Sequence, residues 1–174
     1  MELQGKKAMV FVEQMYNDYE FIYPYYRLLE AGAKTHVVAP RAKETYPGKE
    51  GTSVKSDLGI EEVRADEYSV LIIPGGYAPD HMRRNKNMVE MVKTMHEQGK
   101  IIAAICHAGW MLASAGILKG TKVTSFIAIR DDLENAGADW VDQEVVIDGN
   151  LITSRTPADL PAFMRSVITG AAKL

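Results

Sequence analysis

The apolar positions of this chain fall into short unbroken runs, separated by stretches in which they recur at helical spacing. Ala8-Met9-Val10-Phe11-Val12 is apolar throughout, as expected of a strand covered on both faces. Phe21–Ala31 has helical spacing and stops at Gly32, a C-terminal signal. Thr35–Ala39 reads as a second strand and Val70-Leu71-Ile72-Ile73 as a third, ended by Pro74-Gly75-Gly76. Ile101–Ile105 is a further buried strand, with Cys106 directly after it. Asn85–Gln98 is helical, with Met88, Val89, Val92 and Met95 on one stripe, and Trp110–Ala115 continues as a helix to Gly116. The pattern then predicts a short strand near Val123, a helix over Arg130–Ala136 and a final helix over Asp159–Ala172. Between the last two, Glu144–Ile147 and Leu151–Ser154 flank Asp148-Gly149-Asn150, a strong hairpin signal. Arg41–Gly59 is polar and Gly-rich, with alternation weak enough for a hairpin or an excursion from the sheet.

Alternation of apolar strands with helices predicts an α/β fold, a doubly wound and mostly parallel sheet with helices on both faces. The 174 residues contain no linker, repeat or low-complexity stretch, so one domain over residues 1–174 is expected. Sites in such sheets lie at the carboxyl ends of strands. The three most unusual loops are of that kind: Glu13–Glu20, Pro74–Asp80 and Cys106–Gly109.

Composition narrows the chemistry. Apolar residues make up 47% and charged residues 25%, an ordinary globular balance. The net charge is −3 and the basic residues are scattered, Arg83-Arg84 being the densest pair, which argues against a nucleic-acid partner. A lone cysteine forbids an internal disulfide and fits a reducing compartment. No apolar run approaches the roughly 18 residues of a membrane helix, and the apolar stretch after Lys7 is too short for a signal peptide. A cytoplasmic protein without membrane attachment is expected. There is no Cys/His cluster, no His-x-x-x-His pair, no phosphate loop and no dinucleotide glycine pattern, so neither a metal nor a cofactor is expected.

Taken alone, a cysteine at the end of an apolar strand reads as an inert core residue. Ala104 and Ala108 change that, because a strand turning sharply into a helix with its middle residue exposed needs small neighbours. The helix that follows aims its positive end at the sulfur, which predicts a stabilised thiolate. His107 is either a polar residue at a helix start or a base and ion-pair partner for that thiolate. Pro74-Gly75-Gly76 is either a tight turn or a place where backbone approaches a ligand. In the second case a glycine N–H and the His107 N–H form an oxyanion site. Glu20, by itself, reads as a dipole partner near a helix start.

The runs Tyr23-Pro24-Tyr25-Tyr26-Arg27-Leu28, Pro74-Gly75-Gly76-Tyr77-Ala78-Pro79-Asp80, Ala104-Ile105-Cys106-His107 and Ser154-Arg155-Thr156-Pro157-Ala158-Asp159-Leu160 resemble the PfpI family of intracellular cysteine peptidases. That family is related to the Parkinson-linked glycation-repair proteins within the class I glutamine amidotransferase-like superfamily. The resemblance runs from the first strand to the last helix and implies a flavodoxin-like three-layer sandwich with Cys106 as nucleophile on a strained elbow. It implies that Glu20 contacts the cysteine and shares a proton with it, and that Gly76 and the His107 backbone are the oxyanion donors. It further implies a homo-oligomer, dimers building to a hexamer, in which Asp80 of a neighbouring subunit pairs with His107. Two departures stand out. Asn17 occupies a position where many members have a second glutamate, and Ala108-Gly109-Trp110 replaces the more usual Gly-Pro-Gln, so Trp110 should reshape the pocket.

Three functions follow from an activated Cys106. The first is glyoxalase or deglycase chemistry on small reactive carbonyls such as methylglyoxal, or on glycated adducts, with Glu20 moving protons. The second is a peptidase with a Cys106–His107–Asp80 triad acting on peptides. The third is a non-catalytic redox sensor or stress chaperone, since an exposed, low-pKa cysteine oxidises readily and no second cysteine could resolve it. A glutaminase is excluded, because that chemistry needs a histidine far downstream and none follows His107.

Overall fold

The computed structural model describes residues 1–174. In chain order it contains β1 (Lys7–Phe11), α1 (Asp18–Glu30), β2 (Lys34–Ala39), β3 (Thr45–Pro47), β4 (Ser53–Lys55), β5 (Leu58–Gly59), β6 (Val70–Ile73) and α2 (Ala78–Met82). There follow α3 (Lys86–Glu97), β7 (Ile101–Ile105), α4 (Gly109–Ala115), β8 (Lys122–Val123), α5 (Arg130–Asn135), β9 (Asp139–Trp140), β10 (Val145–Asp148), β11 (Leu151–Ser154) and α6 (Leu160–Ala172). The main sheet has seven strands in the order β10-β11-β7-β6-β1-β2-β5, parallel except for the β10–β11 hairpin. Helices α1 and α6 pack together on one face, and α3 and α4 on the other. This is the flavodoxin-like sandwich.

The apolar runs form the inner strands for the expected reason: every residue of β6 and β7 is buried, so neither face could tolerate polar side chains. Register then decides where the loops meet. Val10 lies opposite Ile72, Ile73 opposite Ala104, and Ile105 opposite Ser154, so the carboxyl ends of β1, β6, β7 and β11 share one edge. No helix is long and apolar enough to cross a membrane.

Helix α1 starts three residues before the periodic segment beginning at Phe21. Asn17 caps it, its side-chain oxygen accepting from the N–H groups of Tyr19 (3.1 Å) and Glu20 (3.2 Å). The polar first turn hid this start from the periodicity. The Arg41–Gly59 excursion is an antiparallel hairpin of β3 and β4, followed by the edge strand β5. Short α2, inside the Pro74–Asp80 loop and beyond, has too few residues to leave a periodic signal.

Candidate active site

Cys106 directly follows β7 with φ +61°, a left-handed conformation that an L-residue adopts only when the surroundings impose it. The elbow is therefore strained, and the sulfur is turned out of the strand toward the loop edge. Ala104 and Ala108 are fully packed beside it. The turn Cys106–Ala108 precedes α4, so the helix is offset from the sulfur by a tight turn.

Gly75 explains how a carboxylate comes beside this elbow. A Cβ there would lie 2.6 Å from Glu20 Oε2, 2.8 Å from Cys106 Cβ and 3.0 Å from the His107 nitrogen, so only glycine lets the three groups converge. The Gly75 N–H donates to Glu20 Oε2 at 2.7 Å. Gly75 thus holds the carboxyl, and its N–H is not left over as an oxyanion donor. Glu20 Oε1 is buried and, unlike Oε2, accepts no N–H group. Burial pushes the carboxyl up from 4.5 to about 7; the Gly75 N–H, the Cys106 thiol and the Lys49 charge pull it partly back.

The sulfur departs from the expectation of a stabilised thiolate. Burial first, and the Glu20 carboxylate second, push the thiol up to about 12, while the N–H groups of His107 and Gly76 pull it back. The cause is plain: the side chain is 9% exposed and a carboxylate sits beside it, which outweighs the dipole of a short, offset helix. Glu20 and Cys106 titrate as one coupled pair, and the sulfur is the group that holds its proton to higher pH. The N–H groups of Gly76 and His107, named above as candidate oxyanion donors, act on the sulfur itself.

Gly76, at φ +76°, is locked against the β1 loop; a Cβ there would lie 2.5 Å from both the Asn17 nitrogen and the Met15 oxygen. Its neighbours bind the same loop, Asn17 N–H donating to the Gly75 carbonyl (3.1 Å) and Tyr77 N–H to that of Met15 (2.9 Å). His107 places Nδ1 3.3 Å from the sulfur. Its ring stacks on Phe126 (centroids 5.1 Å apart) and meets Trp110 edge to face (5.3 Å). Burial, then the Lys49 charge, lowers its pKa, so the imidazole is neutral near neutral pH. Trp110 is held in turn by Asp132, to which its indole N–H donates at 2.8 Å, and by the Arg83 guanidinium over its ring. Asp80 lies apart. It sits on α2, bonds to Arg84 of its own chain, and does not line the cavity.

The cavity at Cys106 encloses about 520 Å³, with His107, Trp110, Gly76 and Asn17 among its walls. Lys49, Phe126 and Thr156 also line it, and nothing in the residue pattern singled out Lys49 or Phe126. Lys49 arrives through buried Asp18, whose carboxylate accepts from the N–H groups of Glu50 (2.8 Å) and Thr52 (2.9 Å) and ties the β3–β4 turn to α1. Only the Asn17-Asp18 pair at the helix start could have hinted at such an anchor. A larger, shallower hollow of about 750 Å³ lies on the outer face of α1 between Tyr19, Tyr23 and Tyr26, and holds no nucleophile.

The DJ-1/PfpI family model matches residues 6–170. Over 153 residues the chain is 49% identical to a protein of Pyrococcus furiosus named Deglycase PfpI, covering 88% of this chain and 92% of that one. Among solved structures, it superposes on a two-domain protein of Anabaena variabilis with DJ-1/ThiJ/PfpI-like and ferritin-like domains. The TM-score is 0.93 at 45% identity, over 94% of this chain, which spans only 47% of that protein. It also superposes on Drosophila melanogaster DJ-1beta with TM-score 0.90 at 29% identity, over 97% of this chain and 91% of the other.

Proposed function

Because the chain belongs to the DJ-1/PfpI family, we propose that it is a cysteine-nucleophile enzyme acting on reactive carbonyls such as methylglyoxal, or on the adducts they leave on amines and thiols. One observation carries this reading: a strained, nearly buried thiol lies between two backbone N–H donors and a carboxyl whose pKa is moved to about 7. Such a carboxyl both takes and returns a proton at neutral pH with little loss either way.

On methylglyoxal, the sulfur bonds to the aldehyde carbon as the thiol proton passes to Glu20. The carbonyl π electrons go to oxygen, which rests against the Gly76 and His107 N–H groups and takes the proton back, leaving a hemithioacetal. Glu20 as carboxylate then removes the carbon-bound proton and returns it to the adjacent carbon, while the hydroxyl proton passes to the neighbouring carbonyl oxygen, converting the hemithioacetal to a lactoyl thioester without net oxidation. Water cleaves the thioester to lactate and restores the thiol. On a glycated amine held as its hemiaminal, the carbon–nitrogen bond breaks as the sulfur bonds to that carbon, and the thiol proton passes through Glu20 to the nitrogen, freeing the amine and leaving the same hemithioacetal. The test is methylglyoxal consumption with D- and L-lactate detection, in parallel on Cys106→Ser. Lactate from the wild type alone is expected; equal activity in the variant would sink the assignment.

A peptidase reading has one supporting observation, the His107 Nδ1–Cys106 Sγ approach of 3.3 Å. Within one chain His107 has no acidic partner, because Asp80 bonds to Arg84. The triad needs Asp80 of a neighbouring subunit, and the exposed tyrosines of α1, Tyr19 at 64% and Tyr26 at 63%, support a homo-oligomer.

A further inference from the structure

The chemistry above leaves Trp110 without a task, although the ring is anchored at both its nitrogen and its face. Its indole N–H donates to Asp132 of α5 at 2.8 Å. The Arg83 guanidinium, itself bonded through Nε to Ser114 Oγ at 2.9 Å, stands 5.6 Å from the ring centre. Gly109 lets α5 come this close, since a Cβ there would lie 2.9 Å from Cδ1 of Leu133, the residue after Asp132. Phe126 is fixed differently: its N–H donates to the Cys106 carbonyl at 3.2 Å, so its ring moves with the elbow. His107 touches both rings, lying 28° from the plane of Phe126 and 70° from that of Trp110.

A histidine that works beside a nucleophile is ordinarily oriented by an acid at its second ring nitrogen. Here the imidazole bonds only to the sulfur, Nδ1 to Sγ at 3.3 Å, and no side chain of the chain bonds to Nε2. Stacking on Phe126 alone lets the ring slide and turn in its own plane; a second ring nearly perpendicular to it removes that freedom. We infer that Asp132 is a positioning residue: by fixing the Trp110 indole it holds the His107 imidazole against Cys106, as an acid elsewhere does by a direct bond. Asp132 is exposed and does not line the cavity, so it acts only through Trp110. This assignment rests on Cys106 as the reacting atom, whatever the substrate.

The test reads the thiol and needs no substrate. Held at 3.3 Å, the imidazole steadies the thiolate as it forms, so a loosened ring slows its reaction. Alkylation of Cys106 by iodoacetamide at mildly alkaline pH is timed in Asp132→Ala, Asp132→Asn, Trp110→Phe and His107→Ala. Two double variants combine Asp132→Ala with Trp110→Phe or with His107→Ala. Asp132→Ala is expected to slow alkylation about fivefold, which is about 1 kcal/mol at about 1.4 kcal/mol for each factor of ten. Asparagine keeps an oxygen for the indole N–H without the charge, so Asp132→Asn should react like the wild type. Adding Asp132→Ala to Trp110→Phe, whose ring has no N–H, or to His107→Ala should change nothing further. The NMR signals of the His107 ring protons, displaced by the two rings around it, should shift toward those of the other three histidines in Asp132→Ala and stay in place in Asp132→Asn. A slowing shared by Asp132→Asn would mean that the carboxylate acts through its charge. A slowing that persists beside Trp110→Phe or His107→Ala would mean that it bypasses these rings. Either result overturns the assignment, as does an Asp132→Ala variant with unchanged alkylation. Lactate formation fails separately: activity retained in Cys106→Ser sinks the carbonyl reading and leaves these alkylation ratios as they are.

Discussion

Replacing Glu20 by glutamine isolates the charge at the centre of this site. The amide keeps the size of the side chain and an oxygen for the Gly75 N–H, but it cannot ionise. In the folded protein the carboxyl titrates at about 7 rather than 4.5, because burial disfavours its charged form. The folded state therefore holds a proton that the unfolded state releases between those two values. Stability from this group is complete below 4.5 and is lost as pH rises through about 7. The full loss is about 3 kcal/mol, at about 1.4 kcal/mol for each tenfold change in proton affinity. Glu20→Gln does not suffer it. Near pH 4.5 the two proteins should differ by no more than about 1 kcal/mol, the scale of one altered hydrogen bond. Near pH 8.5 the variant should be the more stable by about 3 kcal/mol relative to that baseline.

Urea unfolding of both proteins at several pH values across this range reads the difference directly, with the slope m checked for constancy. A stability difference that does not change with pH would refute the reasoning, because the carboxyl would then titrate alike in folded and unfolded chains. The same samples test the coupling to sulfur. Loss of the carboxylate removes the second cause of the raised thiol pKa, so alkylation of Cys106 by iodoacetamide at mildly alkaline pH should accelerate. Turnover should fall by roughly 100-fold or more, since the proton carrier is gone. Faster alkylation with slower turnover separates a proton-shuttling role from simple activation of the thiol.

Three further outcomes follow from the geometry. Cys106→Gly should be more stable than Cys106→Ala by about 1 kcal/mol in thermal or urea unfolding, because glycine relieves the left-handed strain at this elbow; a less stable glycine variant would mean the elbow is relaxed. Gly75→Ala should lose most activity and about 1–3 kcal/mol of stability, since its Cβ would overlap Glu20 and Cys106; an active, fully stable variant would show that the two groups need not meet at this glycine. Asp80→Asn should reduce peptide hydrolysis while leaving Cys106 alkylation unchanged, assayed on the assembled protein with its size checked by light scattering; unimpaired hydrolysis would remove Asp80 from the triad.

The fold was legible because its strands are buried on both faces, and a run such as Val70–Ile73 has no other use for four consecutive large apolar residues. Cys106 was legible for a related reason, being the polarisable exception at the end of such a run, flanked by alanines. Glu20, in contrast, carries nothing locally that separates it from a solvent-facing first-turn carboxylate. Its burial comes from the parallel pairing of β1 with β6, which brings Gly75 over it, and only the family resemblance pointed there. Lys49 was hidden further still, because its place depends on Asp18 holding a polar hairpin by two backbone N–H groups, a contact with no periodicity.

At the Cys106 thiol, burial and the Glu20 carboxylate oppose the pull of the helix start. Position at a helix start predicts a low pKa when the sulfur faces water; here the residue is buried at the base of a cavity, beside a carboxyl. Desolvation and like charge act over the same few ångströms as the dipole and, for a short helix, are stronger. What the site gains in exchange is a proton held ready next to the nucleophile. A thiolate left charged at rest would be open to oxidation; in the chemistry proposed above, the thiol beside Glu20 would become nucleophilic only when a carbonyl arrives against the Gly76 and His107 N–H groups. Reaction would thereby be tied to occupancy of the pocket. Slow oxidation of Cys106 by peroxide, set against fast reaction with methylglyoxal, is the behaviour this arrangement requires, and the reverse order would favour the redox-sensor role instead.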